Sequence, residues 1–209
     1  MAKRHGLVRP PSVRHSVQLV AACAVLNAAG VAAAIVALRQ LSEAAPAYVE
    51  VAVSYGATRA SAEGMITGLH SSLIMYAVIC GASVALLAPL SVALWRPWQA
   101  ARIAAWTVAG ILIPAHAVMI VVGPDLLTLV NGSEPPEVRA AQDALLPGWY
   151  ADVTGLLTSL LFVGMAAYVL LLLRTSARDF YIPLSHDGPA ALWTYARRDL
   201  DGEPLPPAV

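Results

Sequence analysis

The chain has 209 residues, of which 58% are hydrophobic and only 12% charged, against roughly 25% charged residues in ordinary soluble domains. Its 13 basic residues equal its 13 acidic ones, so no bulk charge recruits nucleic acid, and so apolar a chain needs somewhere other than water for its surface. The two cysteines, Cys23 and Cys80, lie inside apolar runs and exclude a disulfide-stapled domain.

In chain order, a basic segment comes first, residues 1–15, with Lys3, Arg4, Arg9 and Arg14. Val20-Ala21-Ala22-Cys23 matches a lipoprotein cleavage box by letter. Only His15 to Leu19 separate it from Arg14, too few for the apolar region of a signal, so the segment reads as an uncleaved anchor. Four apolar runs follow, at 16–38, 69–94, 103–123 and 153–173, and none contains Asp, Glu, Lys or Arg. Each reaches the roughly 20 residues that a membrane-spanning helix needs. None alternates as a barrel strand would, which leaves helices as the way to satisfy the backbone in lipid.

The connections are unequal. Residues 39–68 form a long first link, in which Tyr48 to Tyr55 alternates like a strand. An isolated strand has no partner, so a helical or irregular course is expected there, with a helix from Ser61 running into the second span. The link 95–102 is short and implies a tight antiparallel hairpin. The third link, 124–152, carries a helix signal. Ser133 suits its N-cap, Pro135 and Pro136 its first turn, Glu134 and Glu137 its positive end, and Pro147-Gly148 its stop. The tail, 175–209, is rich in Pro, Gly and Asp and is expected to be mostly flexible, with an interfacial turn or two at 190–198.

Basic residues set the orientation. Lys3, Arg4, Arg9, Arg14, Arg96, Arg102, Arg174, Arg178, Arg197 and Arg198 fall on one side, against Arg39, Arg59 and Arg139 on the other. That bias predicts a multi-pass protein of the plasma membrane with both termini in the cytoplasm. Interfacial aromatics agree, with Trp95 and Trp98 at the inner boundary and Trp149 and Tyr150 at the outer. The expected fold is all-α: a four-transmembrane-helix bundle over 16–174, with two longer extracytoplasmic loops carrying short helices.

Several residues within this frame invite a role. Asn27 lies mid-span, where an amide needs a partner, and Ala22, Ala29, Gly30, Ala33 and Ala34 surround it with small side chains. Asn27, Gly30 and Ala34 are thus the candidates for helix packing or association. His70, His116, Pro89 and Pro114 are the candidates for polar contacts or a pathway. The prolines are expected to kink their helices, and His116 to bond a neighbouring helix. His70 and His116 lie too far apart in depth for a shared axial pair. His70 with Glu63, Asp125 and Asp152 lacks the dense ligand spacing of a metal site. No catalytic, cofactor-binding or metal-ligating residues are therefore assigned, and no intramembrane charge marks a proton or ion path.

The segment from Arg9 to Arg14, the stretch from Trp98 to Trp106, and the exit from Leu172 to Tyr181 resemble the small four-helix membrane proteins common in actinobacteria. The resemblance concerns layout and implies no activity. The expected partners are the lipid bilayer and a membrane-protein partner or a second copy. The role expected first is an accessory or interaction subunit; the alternative is a subunit of an oligomeric carrier or channel for a neutral or apolar solute.

Overall fold

A computed structural model describes residues 10–96, 98–119, the backbone of 120–122, 135–174 and 177. The expectations for Lys3, Arg4, Arg9, Asp125, Ser133, Glu134 and the tail beyond Ala177 lie outside these. Five helices are described: α1 (Pro11–Ser54), α2 (Arg59–Ala93), α3 (Gln99–Val122), α4 (Pro136–Asp143) and α5 (Tyr150–Leu173). Among them α1, α2, α3 and α5 are long and apolar enough to cross a membrane.

The first helix begins where Pro10 is extended and Pro11 occupies the first turn, a position whose N–H has no helical partner in any case. It then runs for 44 residues, about 66 Å at the α-helical rise, through Pro46 without a break. Its stop is chemical. Gly56 has φ +95°, its N–H donates to the Val53 carbonyl at 3.1 Å, and the Ala57 N–H donates to the Ala52 carbonyl at 3.0 Å. This is the paired closure that a left-handed glycine after a helix allows. Thr58 then caps α2, its hydroxyl accepting from the Ser61 N–H at 3.2 Å.

The first long link is therefore a helical hairpin with a four-residue turn, and its helices are the continuous ends of α1 and α2. This differs from a loop carrying its own short helix. Membrane thickness limits how much of a helix must be apolar; it does not stop the helix when the chain emerges. Both prolines expected to kink their helices lie within unbroken helix, on exposed faces.

The four long helices form a square. α1 lies against α2 and α5, and α3 closes the figure against the same two, leaving α1/α3 and α2/α5 as diagonals. Toward the start of α1 and the end of α5, Val13, Val20, Leu87, Ala105, Met165 and Tyr168 join one buried cluster. Large apolar side chains such as Val25, Val78, Ile111, Leu156 and Val163 face outward from the same helices, the inverse of a water-soluble bundle.

At the opposite end α1 and α2 outrun their neighbours, since α3 and α5 are 24 residues each and α2 is 35. The surplus forms a head with its own core. Leu41, Tyr48, Ala62, Leu69, Val138 and Tyr150 are buried together there. α4 leans on α1 through Val138 and the turn after it, where the Gln40 amide donates to the Ala144 carbonyl at 2.9 Å. The short helix expected in the third link exists, with Pro136 in its first turn and Asp143 as its last residue.

Candidate functional site

Two regions gather the residues that chemistry would use: the polar centre of the bundle and the head.

Asn27 on α1 and His116 on α3 are both fully buried. They meet across a diagonal of the square, His116 Nε2 standing 3.1 Å from Asn27 Oδ1. Asn27 Nδ2 donates to the Cys23 carbonyl at 2.8 Å, and His116 Nδ1 lies 2.8 Å from the Leu112 carbonyl. Both ring nitrogens thus face oxygen, and a ring with one N–H proton satisfies one of them at a time. The pair ties together two helices whose backbones otherwise scarcely meet. A buried amide or imidazole without a partner is costly, so each residue explains the other.

Gly30, one turn along from Asn27, packs tightly against α2. A Cβ there would stand 3.0 Å from Cys80 Sγ and 3.1 Å from Tyr76 Oη. Ala34 continues this contact in a cluster with Tyr76, Cys80 and Met119. Gly30 and Ala34 are therefore occupied inside the molecule. The small residues read from the sequence as one face divide in two, because Ala22 and Ala29 point outward. The buried Tyr76 hydroxyl has no hydrogen-bond partner among the described residues, while the Thr158 and Ser83 hydroxyls donate to carbonyls of their own helices. Both cysteines are free.

The four pathway candidates do not converge. His116 faces the interior, whereas His70, Pro89 and Pro114 are exposed on the outside of their helices. Among the described residues no group of three or more His, Cys, Asp and Glu is placed to hold a metal ion.

The head is more open. A recess of about 380 Å³ is lined by Tyr48, Tyr55, Met65, Pro135, Val138 and Gln142 among others, within the range of pockets that take small ligands or side chains of a partner. A second, of about 360 Å³, has Pro46, Val49, Glu50, Arg59, Glu63 and Ile66 among its walls. Arg59 and Glu63 pair at 3.9 Å on an exposed helix face, an interaction that contributes little to stability.

Tyr55 and Glu137 link the hairpin turn to the first turn of α4. Local desolvation, then the Glu137 charge and the hydrogen bond the phenol donates to it, raise the Tyr55 pKa above its ordinary value. A raised phenol favours the folded form below the ordinary tyrosine pKa, and that contribution disappears as pH rises through the raised value. Protection of the α4 amides, taken relative to their intrinsic base-catalysed exchange, should therefore fall above about pH 10. Tyr55→Phe should remove this alkaline step; an unchanged step would contradict the link.

Sequence reasoning overlooked one arrangement. Arg102 is 7% exposed in the first turns of α3, with its guanidinium carbon 4.5 Å from the Trp106 ring centroid. The sequence presents it as one more boundary cation, and the only signal for more is an arginine four residues before a tryptophan at the start of an apolar helix.

The chain matches no protein-family model, no curated protein and no solved structure.

Proposed function

We propose that the chain is a multi-pass membrane protein that acts as an accessory or interaction subunit, with both termini in the cytoplasm and the head on the outer side. The observation that carries the reading is the head itself. α1 and α2 continue well past the length a bilayer requires, bury a core of their own with α4, and leave two recesses on their flanks. Rigid helices holding recesses above an apolar bundle suit recognition of another chain. Val53 and Tyr55, 39% and 50% exposed, stand at the tip as apolar contact surface.

The orientation rests on the ten basic residues against three in the full sequence. Among the described residues Arg14, Arg96, Arg102 and Arg174 lie at the end of the bundle where α1 begins, against Arg39, Arg59 and Arg139 toward the head. The carrier reading draws less support. Three of its four pathway residues face away from the interior, and Asn27 occupies the space beside the fourth.

The partner class proposed is the extramembrane part of another membrane-anchored protein. A photocrosslinking residue at Ser61 or Met65, beside the recess, should capture one neighbour in native membranes. The same probe at Val163, on the outside of α5, should capture lipid. Equal capture from all three positions, or none from the head, would reject the interaction role.

A further inference from the structure

Beyond its head, the molecule has a second unexplained feature at the end of the bundle where α1 begins and α5 ends. The Arg102 Nε and the Trp106 Nε1 are both buried, and neither has a hydrogen-bond partner among the described residues. Both atoms are donors only. Two orphaned donors one helical turn apart call for an acceptor, and buried polar groups without one are rare enough to need a cause.

The surroundings say which acceptor. Arg102 belongs to the first turns of α3, at the positive end of the helix dipole, where a cation is disfavoured and an anion welcomed. Among the described residues no carboxylate pairs with it, the single salt bridge being Arg59–Glu63 at the far end. Arg96 adds a further positive charge in the turn before α3, stacked 4.9 Å from the centroid of Trp98. Tryptophan and arginine at one level of an apolar bundle mark the headgroup zone of a bilayer, and the guanidinium fork matches two oxygens of a phosphate.

We propose that Arg102 and Trp106 form a binding site for the phosphate of an anionic phospholipid. The Arg102 guanidinium carries the charge and the fork, Trp106 supports it by cation–π contact and offers its indole N–H as a second donor, and the neighbouring helix end adds favourable dipole potential. The inference rests on the bilayer reading and is independent of any protein partner.

The test is lipid retention. Purified full-length protein is delipidated in neutral detergent and titrated with phosphatidylglycerol, phosphatidylcholine or inorganic phosphate, with binding read by native mass spectrometry. Wild type should prefer phosphatidylglycerol by about tenfold, the factor that 1.4 kcal/mol represents. Arg102→Gln should abolish the preference. Arg102→Lys, which keeps charge without the fork, should retain part of it, and Trp106→Phe should weaken it a fewfold while keeping a ring. Arg139→Gln, on the exposed side of α4 in the head, should leave it intact.

Circular dichroism and gel filtration monitor folding, and if Arg102→Gln misfolds the Lys and Phe variants carry the comparison. Equal retention of the two lipids by wild type, or undiminished preference in the Arg102 and Trp106 variants, would overturn the site. Inorganic phosphate that displaced phosphatidylglycerol at matching concentration would overturn the lipid as its ligand. A chain that proved soluble without lipid or detergent would instead fail the bilayer reading itself.

Discussion

Replacing Gly30 with valine should destabilise the bundle by about 1–3 kcal/mol, the usual cost of forcing extra carbons into a packed interior. Even a single Cβ at this position would lie 3.0 Å from Cys80 Sγ and 3.1 Å from Tyr76 Oη, tighter than ordinary van der Waals contact. Valine adds two methyl groups, and a β-branched side chain in a helix has little χ1 freedom with which to avoid the collision. The α1–α2 contact must then open, and with it the alignment that brings Asn27 to His116. Thermal unfolding in detergent measures the loss. Cys80→Ala should restore part of it by vacating the Sγ position, and Gly30→Ala should fall between wild type and valine. A Gly30→Val protein with unchanged melting would show that the two helices do not pack as described.

The second large effect is a non-additive one. His116→Leu strands the Asn27 carbonyl oxygen, and Asn27→Leu strands the imidazole Nε2, each in a fully buried position. Each single change should cost about 1–3 kcal/mol, the desolvation penalty of an unsatisfied buried group. The double change to leucine removes both polar groups together and should cost less than the sum by about 0.6 kcal/mol or more, the scale of coupling measured between polar residues of membrane helices. Strict additivity would mean that the two side chains do not interact.

Much of this fold is legible in the residues. The four uncharged apolar runs at 16–38, 69–94, 103–123 and 153–173 lie within or nearly coincide with α1, α2, α3 and α5, because composition alone makes them unfit for water. Pro135 and Pro136 marked α4 because proline at a first helical turn sacrifices no hydrogen bond, but Pro135 is the N-cap where Ser133 was expected, and the helix ends at Asp143, short of Pro147-Gly148. The end of α1 was harder to see. Val49, Val51 and Val53 alternate like a strand, yet the first true stop is Gly56 followed by the Thr58 cap. Helices set by tertiary support override a short alternating pattern.

At the polar centre, Asn27 and His116 each stood out as costly in an apolar span. Pairing them required knowing that α1 and α3 face each other diagonally, a matter of how the helices assemble around the square. Gly30 and Ala34 suggested either internal packing or self-association, and residue spacing alone does not say which helix fills a small-residue groove. Arg102 gave the least warning. Its significance comes from the absence of a nearby acceptor among the described residues, and an absent contact has no signature in the chain.

The most direct test of the account is sidedness. In a Cys23→Ala, Cys80→Ala background, single cysteines are placed at Ala57 in the hairpin turn and at Gln99 at the start of α3. Intact cells are then treated with a membrane-impermeant thiol reagent. The account predicts labelling at position 57 from outside, with position 99 labelled only after the membrane is opened. Labelling of both from the same side, or release of the protein by alkaline carbonate, would contradict it.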